Sequence, residues 1–86
     1  MKNKQFRESI HSPKNIALRH YWINQRIELG LSQRDVAKKL EVTRSLVGKI
    51  ETGDRRLDIL EMIVYCKVLS IDPHKIINYL EEEFDK

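Results

Sequence analysis

The segment from Arg44 to Lys49 concentrates hydrogen-bond donors at a helical spacing. Arg44, Ser45, Gly48 and Lys49 fall at i, i+1, i+4 and i+5, which share one face if the segment is helical, and no carboxylate interrupts that face. An arginine can donate two hydrogen bonds to O6 and N7 of guanine, worth about 1–3 kcal/mol of discrimination, and a lysine can donate to guanine or to a phosphate. On charge alone an ordinary solvated helix face is the simpler interpretation. Recognition of duplex DNA therefore depends on elements that brace the segment.

The surrounding residues predict two short helices that cross steeply. One helix is predicted over 33–40, with Ser32 as its N-cap, and the next over 44–52, with Thr43 as its N-cap. A three-residue break joins them, as in a helix-turn-helix. Apolar residues occupy the positions where the two helices must brace each other: Val36, Ala37, Leu40, Val42, Val47 and Ile50, with Val42 expected to close the angle of the turn. On such a motif the start of the second helix fits the major groove, and DNA recognition becomes the favoured interpretation.

The rest of the chain predicts three more helices and no strand. The first is predicted over 15–29 with Gly30 as its stop, the fourth over 58–69, and the fifth over 73–84 after an Asp72-Pro73 start signal. The predicted fold class is therefore all-α. We expect one compact five-helix domain over 14–86, with the helix-turn-helix at its second and third helices.

Charge is divided unevenly along the chain. Residues 1–56 hold 13 Lys and Arg against 6 Asp and Glu, a net charge of +7, whereas residues 57–86 hold 3 against 7, a net charge of −4. A basic first part favours a nucleic-acid partner on one side of the molecule, although an unevenly charged solvated surface would give the same numbers. Residues 1–13 are predicted to form a flexible basic arm. Its residues Lys2, Lys4 and Arg7 either reach the minor groove or belong to a leader without contacts, and the leader is favoured.

Other kinds of chemistry find little support in the sequence. The histidines His11, His20 and His74 are scattered without metal-ligand spacing, and no Ser–His–Asp arrangement is visible, so we expect no metal, no cofactor and no enzymatic activity. The single cysteine, Cys66, lies in an apolar run and is expected to be a buried core residue rather than a reactive thiol. No apolar run approaches the roughly 20 residues of a membrane helix, which favours a cytoplasmic protein without a membrane partner.

Several short motifs along the chain form a specific set. They are Arg26-x-x-x-Gly30-Leu31-Ser32-Gln33, then Val36-Ala37, Ile50-Glu51-x-Gly53, Arg55-Arg56-Leu57 and Leu69-x-Ile71-Asp72-Pro73. With these motifs, residues 18–73 resemble the lambda-repressor/Cro-like helix-turn-helix family, also called the XRE family. The resemblance implies a five-helix domain that usually binds operator DNA as a symmetric dimer.

The resemblance also implies roles for individual residues. Bases would be faced by Arg44, Ser45 and Lys49, and phosphates by Thr43, Arg55 and Arg56. Gln33 would sit against a phosphate and a base. The whole DNA-binding set is then Gln33, Arg34, Thr43, Arg44, Ser45, Gly48, Lys49, Arg55 and Arg56. Arg26 and Glu51 match a structural ion pair, so Glu51 is interpreted as scaffold rather than as a catalytic acid.

Two positions depart from the family pattern. Glu41 stands in the turn where the family usually has glycine, and a left-handed backbone there would cost about 1 kcal/mol. Gly48 stands where the family often has a hydroxyl or a larger polar residue. It indicates either a close approach to DNA or drift at a tolerant surface site, and both interpretations stay open.

The predicted fifth helix carries an apolar stripe. Ile76, Ile77, Leu80 and Phe84 share one face with Tyr79 nearby. Together with Ile71 they are predicted to form a two-fold dimer interface: Ile71, Ile76, Ile77, Tyr79, Leu80 and Phe84. The alternative is that the stripe closes the core of the monomer.

The favoured function is sequence-specific binding of double-stranded DNA by a homodimeric transcriptional repressor that reads a palindrome. The alternative is an antitoxin that binds a toxin protein as well as DNA. A neighbouring toxin gene or co-purification with a small protein would distinguish the two. An enzyme is the least favoured class.

Overall fold

The structure is a computed structural model that describes residues 10–84, except for the side chains of residues 83 and 84. Its five helices are α1 (Pro13–Glu28), α2 (Gln33–Leu40), α3 (Arg44–Thr52), α4 (Ile59–Val68) and α5 (Pro73–Phe84). The described residues contain no strand, so the predicted all-α fold is confirmed. The predicted arm residues Lys2, Lys4 and Arg7 lie outside the described residues. None of the described helices is both long and apolar enough to cross a membrane.

Side-chain caps fix where the helices begin. Ser12, Ser32, Thr43 and Asp58 each accept a backbone hydrogen bond at the start of α1, α2, α3 and α4, respectively. A Ser or Thr cap contributes typically about 1 kcal/mol to stability. At α2 the carboxylate of Asp35 accepts from the Ser32 amide at 2.8 Å in return, which holds the pKa of Asp35 below its usual range. Ser32 and Thr43 cap their helices as the sequence predicts, whereas α1 begins two residues before its predicted start at residue 15.

All five helices contribute side chains to one core, including Val36 and Ala37 from α2. The Trp22 and Tyr65 rings meet nearly edge-to-face, with centroids 5.1 Å apart, and burial raises the pKa of the Tyr65 hydroxyl. Cys66 is buried beside them, and burial raises the pKa of its thiol. An unreactive core role for Cys66 agrees with the sequence analysis.

The structure corrects two expectations about apolar residues. Ile71 and Ile76 are only 8% and 1% exposed, because they pack into the monomer's own core, so neither is available to the predicted α5 interface. Val42, expected to close the angle of the turn, is 37% exposed.

The remaining α5 positions are divided. The Tyr79 ring packs against Tyr21 with centroids 5.7 Å apart, and Leu80 packs against the core. Ile77 is exposed. The side chain of Phe84 lies outside the described residues. Most of the stripe therefore closes the monomer, which was the alternative interpretation.

Candidate nucleic-acid interface

The α2–α3 turn sets the angle between the two helices. Glu41 adopts a left-handed backbone (φ 58°, ψ 44°) at the end of α2, as its position predicted. The Val42 amide then donates to the Ala37 carbonyl at 3.0 Å. Val36, Ala37 and Val47 are buried where the helices meet. The two helices are therefore braced against each other. Recognition of DNA by the outer face of α3 depends on this bracing.

The outer face of α3 presents the predicted donors to solvent. Arg44, Ser45 and Lys49 are all exposed, whereas Gly48 is half-buried. A methyl group added at Gly48 would lie 3.7 Å from Oε1 of Gln33, an ordinary contact distance. The structure therefore brings Gln33 from the start of α2 over the middle of α3. It also places Arg26, Ser32, Gln33, Arg34 and Arg44 around one open depression.

A buried polar network lies beneath this surface. Glu51 accepts hydrogen bonds from Nε of Arg26 at 2.7 Å and Nη2 at 3.1 Å, and from Nε2 of Gln33 at 2.9 Å. Arg26 also donates to the Leu31 carbonyl at 3.0 Å. The hydrogen bond to Glu51 raises the pKa of Arg26 further above its usual range. Each of the three guanidinium nitrogens of Arg26 thus donates a hydrogen bond.

The network contains the Arg26–Glu51 pair that the motifs indicated, together with one contact that they did not. The Gln33–Glu51 bond joins residues that lie 18 positions apart on different helices. Gln33 and Glu51 both stand in the motifs, but no helical or strand spacing pairs them, so the sequence analysis did not predict this contact. Because Glu51 holds the amide nitrogen of Gln33, the Gln33 carbonyl oxygen is turned toward Gly48 and the α3 surface.

The loop after α3 holds Arg55 and Arg56, both predicted to contact phosphates, in different surroundings. Arg55 pairs with Glu61, with Nη2 and Oε2 2.5 Å apart, and also donates to the Arg56 carbonyl. This pairing lowers the pKa of Glu61 to about 2. A DNA phosphate must therefore compete with Glu61 for Arg55. Arg34 and Arg56 are exposed.

Thr43 has two roles that are compatible with each other. Its Oγ1 accepts from the Leu46 amide at 3.2 Å as the cap of α3. A hydroxyl that accepts one bond can still donate its own hydrogen, so Thr43 can donate to a phosphate oxygen beside the first turn of α3.

Comparison with known proteins identifies this arrangement. A family model described as helix-turn-helix matches residues 24–76, which include α2, α3 and α4. The chain belongs to the XRE family of helix-turn-helix proteins. This helix-turn-helix protein is similar in structure to an XRE-family like protein from Pseudomonas syringae pv. tomato str. DC3000. The TM-score is 0.79 and the identity is 31%, over 87% of this chain and 92% of that chain. No protein with a curated description matches the chain.

Membership confirms the family predicted from the motifs and the five-helix fold. It also gives the general function, because the family consists of DNA-binding regulatory domains: this helix-turn-helix protein is a DNA-binding transcription regulator.

Proposed function

We propose that this protein is a homodimeric repressor that reads a palindromic operator through the major groove. The observation that carries the proposal is the exposed donor face of Arg44, Ser45 and Lys49 at the start of a braced α3. In helix-turn-helix proteins the N-terminal residues of the second helix contact base edges.

Within that face, each side chain has a chemical role. Arg44 donates two hydrogen bonds to one guanine, and Lys49 donates to a second guanine or to a phosphate. Gly48 lets the helix approach the bases closely, because a side chain there would stand between α3 and the groove. Gln33 adds a fixed polar contact, since its amide nitrogen is held by Glu51 at 2.9 Å.

Residues around the face supply affinity without sequence information. Arg34, Thr43 and Arg56 contact phosphates, with Arg55 in competition with its own partner Glu61. Each phosphate contact releases counterions, so affinity falls steeply with salt. Dimerisation would space two α3 helices about 34 Å apart, one turn of DNA, so the operator would be a palindrome.

Selection from random duplex DNA at two salt concentrations tests the proposal. We expect one palindromic motif at both concentrations. Arg44→Ala should relax one base position in each half-site and weaken binding by about 1–3 kcal/mol. Arg34→Ala should weaken binding to all sequences alike and lower the salt slope by about one. Lys75→Ala is the matched control, because Lys75 is an exposed lysine on α5, outside this face.

Salt-dependent binding without any enriched motif would refute sequence-specific reading. The antitoxin alternative would then be tested by co-purification, which would have to recover a small partner protein together with the chain.

A further inference from the structure

Helix α4 is apolar on nearly all sides, but only one side is covered. Tyr65 and Cys66 are buried in the core. On the other side, Ile59, Leu60, Ile63 and Val64 are 67%, 72%, 37% and 52% exposed. A helix that is apolar all round is ordinarily buried all round, so this side calls for a partner.

The exposed side of α4 continues into a neighbouring groove. Leu60 and Val64 line an open groove of about 320 Å³ together with Leu40, Val42 and Leu46. Exposed Val42 extends the apolar area onto the α2–α3 turn. We call Val42, Ile59, Leu60, Ile63 and Val64 the α4 surface. A contiguous apolar patch of this kind on a monomer marks an interaction site.

The charges at the edge of the α4 surface indicate what covers it. The loop before α4 and α4 itself hold three cations, Arg55, Arg56 and Lys67, and three anions, Asp54, Asp58 and Glu61, so this edge has no net charge. A phosphate backbone cannot cover aliphatic side chains. A strongly acidic or basic partner would be repelled by as many charges at this edge as attract it. A second copy offers an apolar centre and the same balanced edge.

We propose that a second copy of this chain covers the α4 surface in a two-fold contact, with α4 against α4. In such a contact each patch meets itself, so cations of one copy can lie near anions of the other. The biological role of this contact rests on the proposed operator-reading dimer, but the contact itself does not require DNA. This α4 contact replaces the predicted α5 interface, whose central residues Ile71 and Ile76 are buried within the monomer.

Sedimentation of the 86-residue chain over a range of concentrations tests the proposal. We expect a reversible dimer that Leu60→Glu and Ile59→Glu each weaken at least about tenfold, because burial of one such aliphatic side chain is worth roughly that factor or more. Ile59 is the first residue of α4, where a carboxylate is favoured by the helix dipole, so the second variant is expected to fold even if the first does not.

Two matched variants control for surface charge. Ile27→Glu alters an exposed isoleucine of α1, and Ile77→Glu alters the exposed isoleucine of the α5 stripe. Both should leave the dimer dissociation constant unchanged within about threefold. Thermal melting of every variant by circular dichroism confirms that each one is folded.

Three results would overturn the proposal: a monomer at all concentrations, a dimer that both α4 variants leave intact, or an equal effect of Ile77→Glu. The DNA selection fails or succeeds separately. A dimer broken by Leu60→Glu that enriches no motif would refute the proposed function and support the α4 contact. If a palindrome is enriched but neither α4 variant weakens the dimer, the proposed function is supported and the α4 contact is refuted.

Discussion

Replacing Glu51 by glutamine tests whether the buried network supports this fold. Glu51 accepts three hydrogen bonds, from two nitrogens of Arg26 and from Gln33, and its side chain is 5% exposed. Glu51→Gln keeps the volume of the side chain but removes its charge. One of its two terminal groups becomes a donor, which then faces the donors of Arg26 or Gln33.

The expected loss follows from the burial of both partners. Removal of one partner of a buried ion pair costs about 3–5 kcal/mol, because the other charge stays buried without compensation. Glutamine retains one acceptor, and Arg26 keeps its bond to the Leu31 carbonyl, so we expect about 3 kcal/mol. For a domain of this size such a loss lowers Tm by roughly 15 °C.

Urea unfolding followed by the fluorescence of buried Trp22 provides the measurement. Glu61→Gln is the matched control, because it removes one charge from the Arg55–Glu61 pair, whose side chains are 38% and 39% exposed. Glutamine still serves as a capping-box residue at that position. We expect the control to lose far less stability than Glu51→Gln. Equal losses would refute the argument that burial of the pair decides its contribution.

Four further variants test single features. Gly48→Ala should raise stability by about 0.5–1 kcal/mol, because a methyl group fits at 3.7 Å from Gln33, yet it should weaken DNA binding; unchanged binding would favour drift at that site. Glu41→Gly should raise Tm by a few degrees, because it relieves about 1 kcal/mol of strain in a left-handed backbone. Ser70→Gly should do the same, since the φ of Ser70 is 56°. An unchanged or lower Tm would contradict this. The pKa of Glu61 is lowered from 4.5 to about 2, so its pairing contributes stability above pH 4.5 that is lost as the pH falls toward 2. Urea midpoints should therefore fall less over that pH interval in Glu61→Gln than in the wild type.

The helix boundaries could be predicted from sequence because local contacts set them. Ser32, Thr43 and Asp58 cap helices through residues three positions away, and Pro73 stands at the first position of α5. The left-handed backbone of Glu41 was likewise predictable from its place in the turn. These features need no knowledge of how the helices pack.

Tertiary arrangement could not be predicted in the same way. An apolar stripe on α5 has the same spacing whether it faces the monomer's core or a second copy, and only the packing shows that Ile71 and Ile76 are internal. The Gln33–Glu51 bond joins two helices through the fold, so it leaves no local pattern. The exposure of one side of α4 could not be predicted from the sequence either, because a run of apolar residues is ordinarily expected to be buried.

The two proposed surfaces are connected by a short and rigid part of the chain. The start of α3 carries the reading face, and the loop after α3 leads directly to the first turn of α4, where the proposed dimer contact begins. The Arg55 amide donates to the Lys49 carbonyl at 3.1 Å, and its side chain pairs with Glu61 at 2.5 Å, so the loop is tied to both helices. A dimer joined through α4 therefore holds its two reading helices at a nearly fixed distance and angle. Because one added base pair rotates the second half-site by about 34°, such a dimer should accept only one spacing between half-sites, whereas a dimer joined through a flexible segment would accept several.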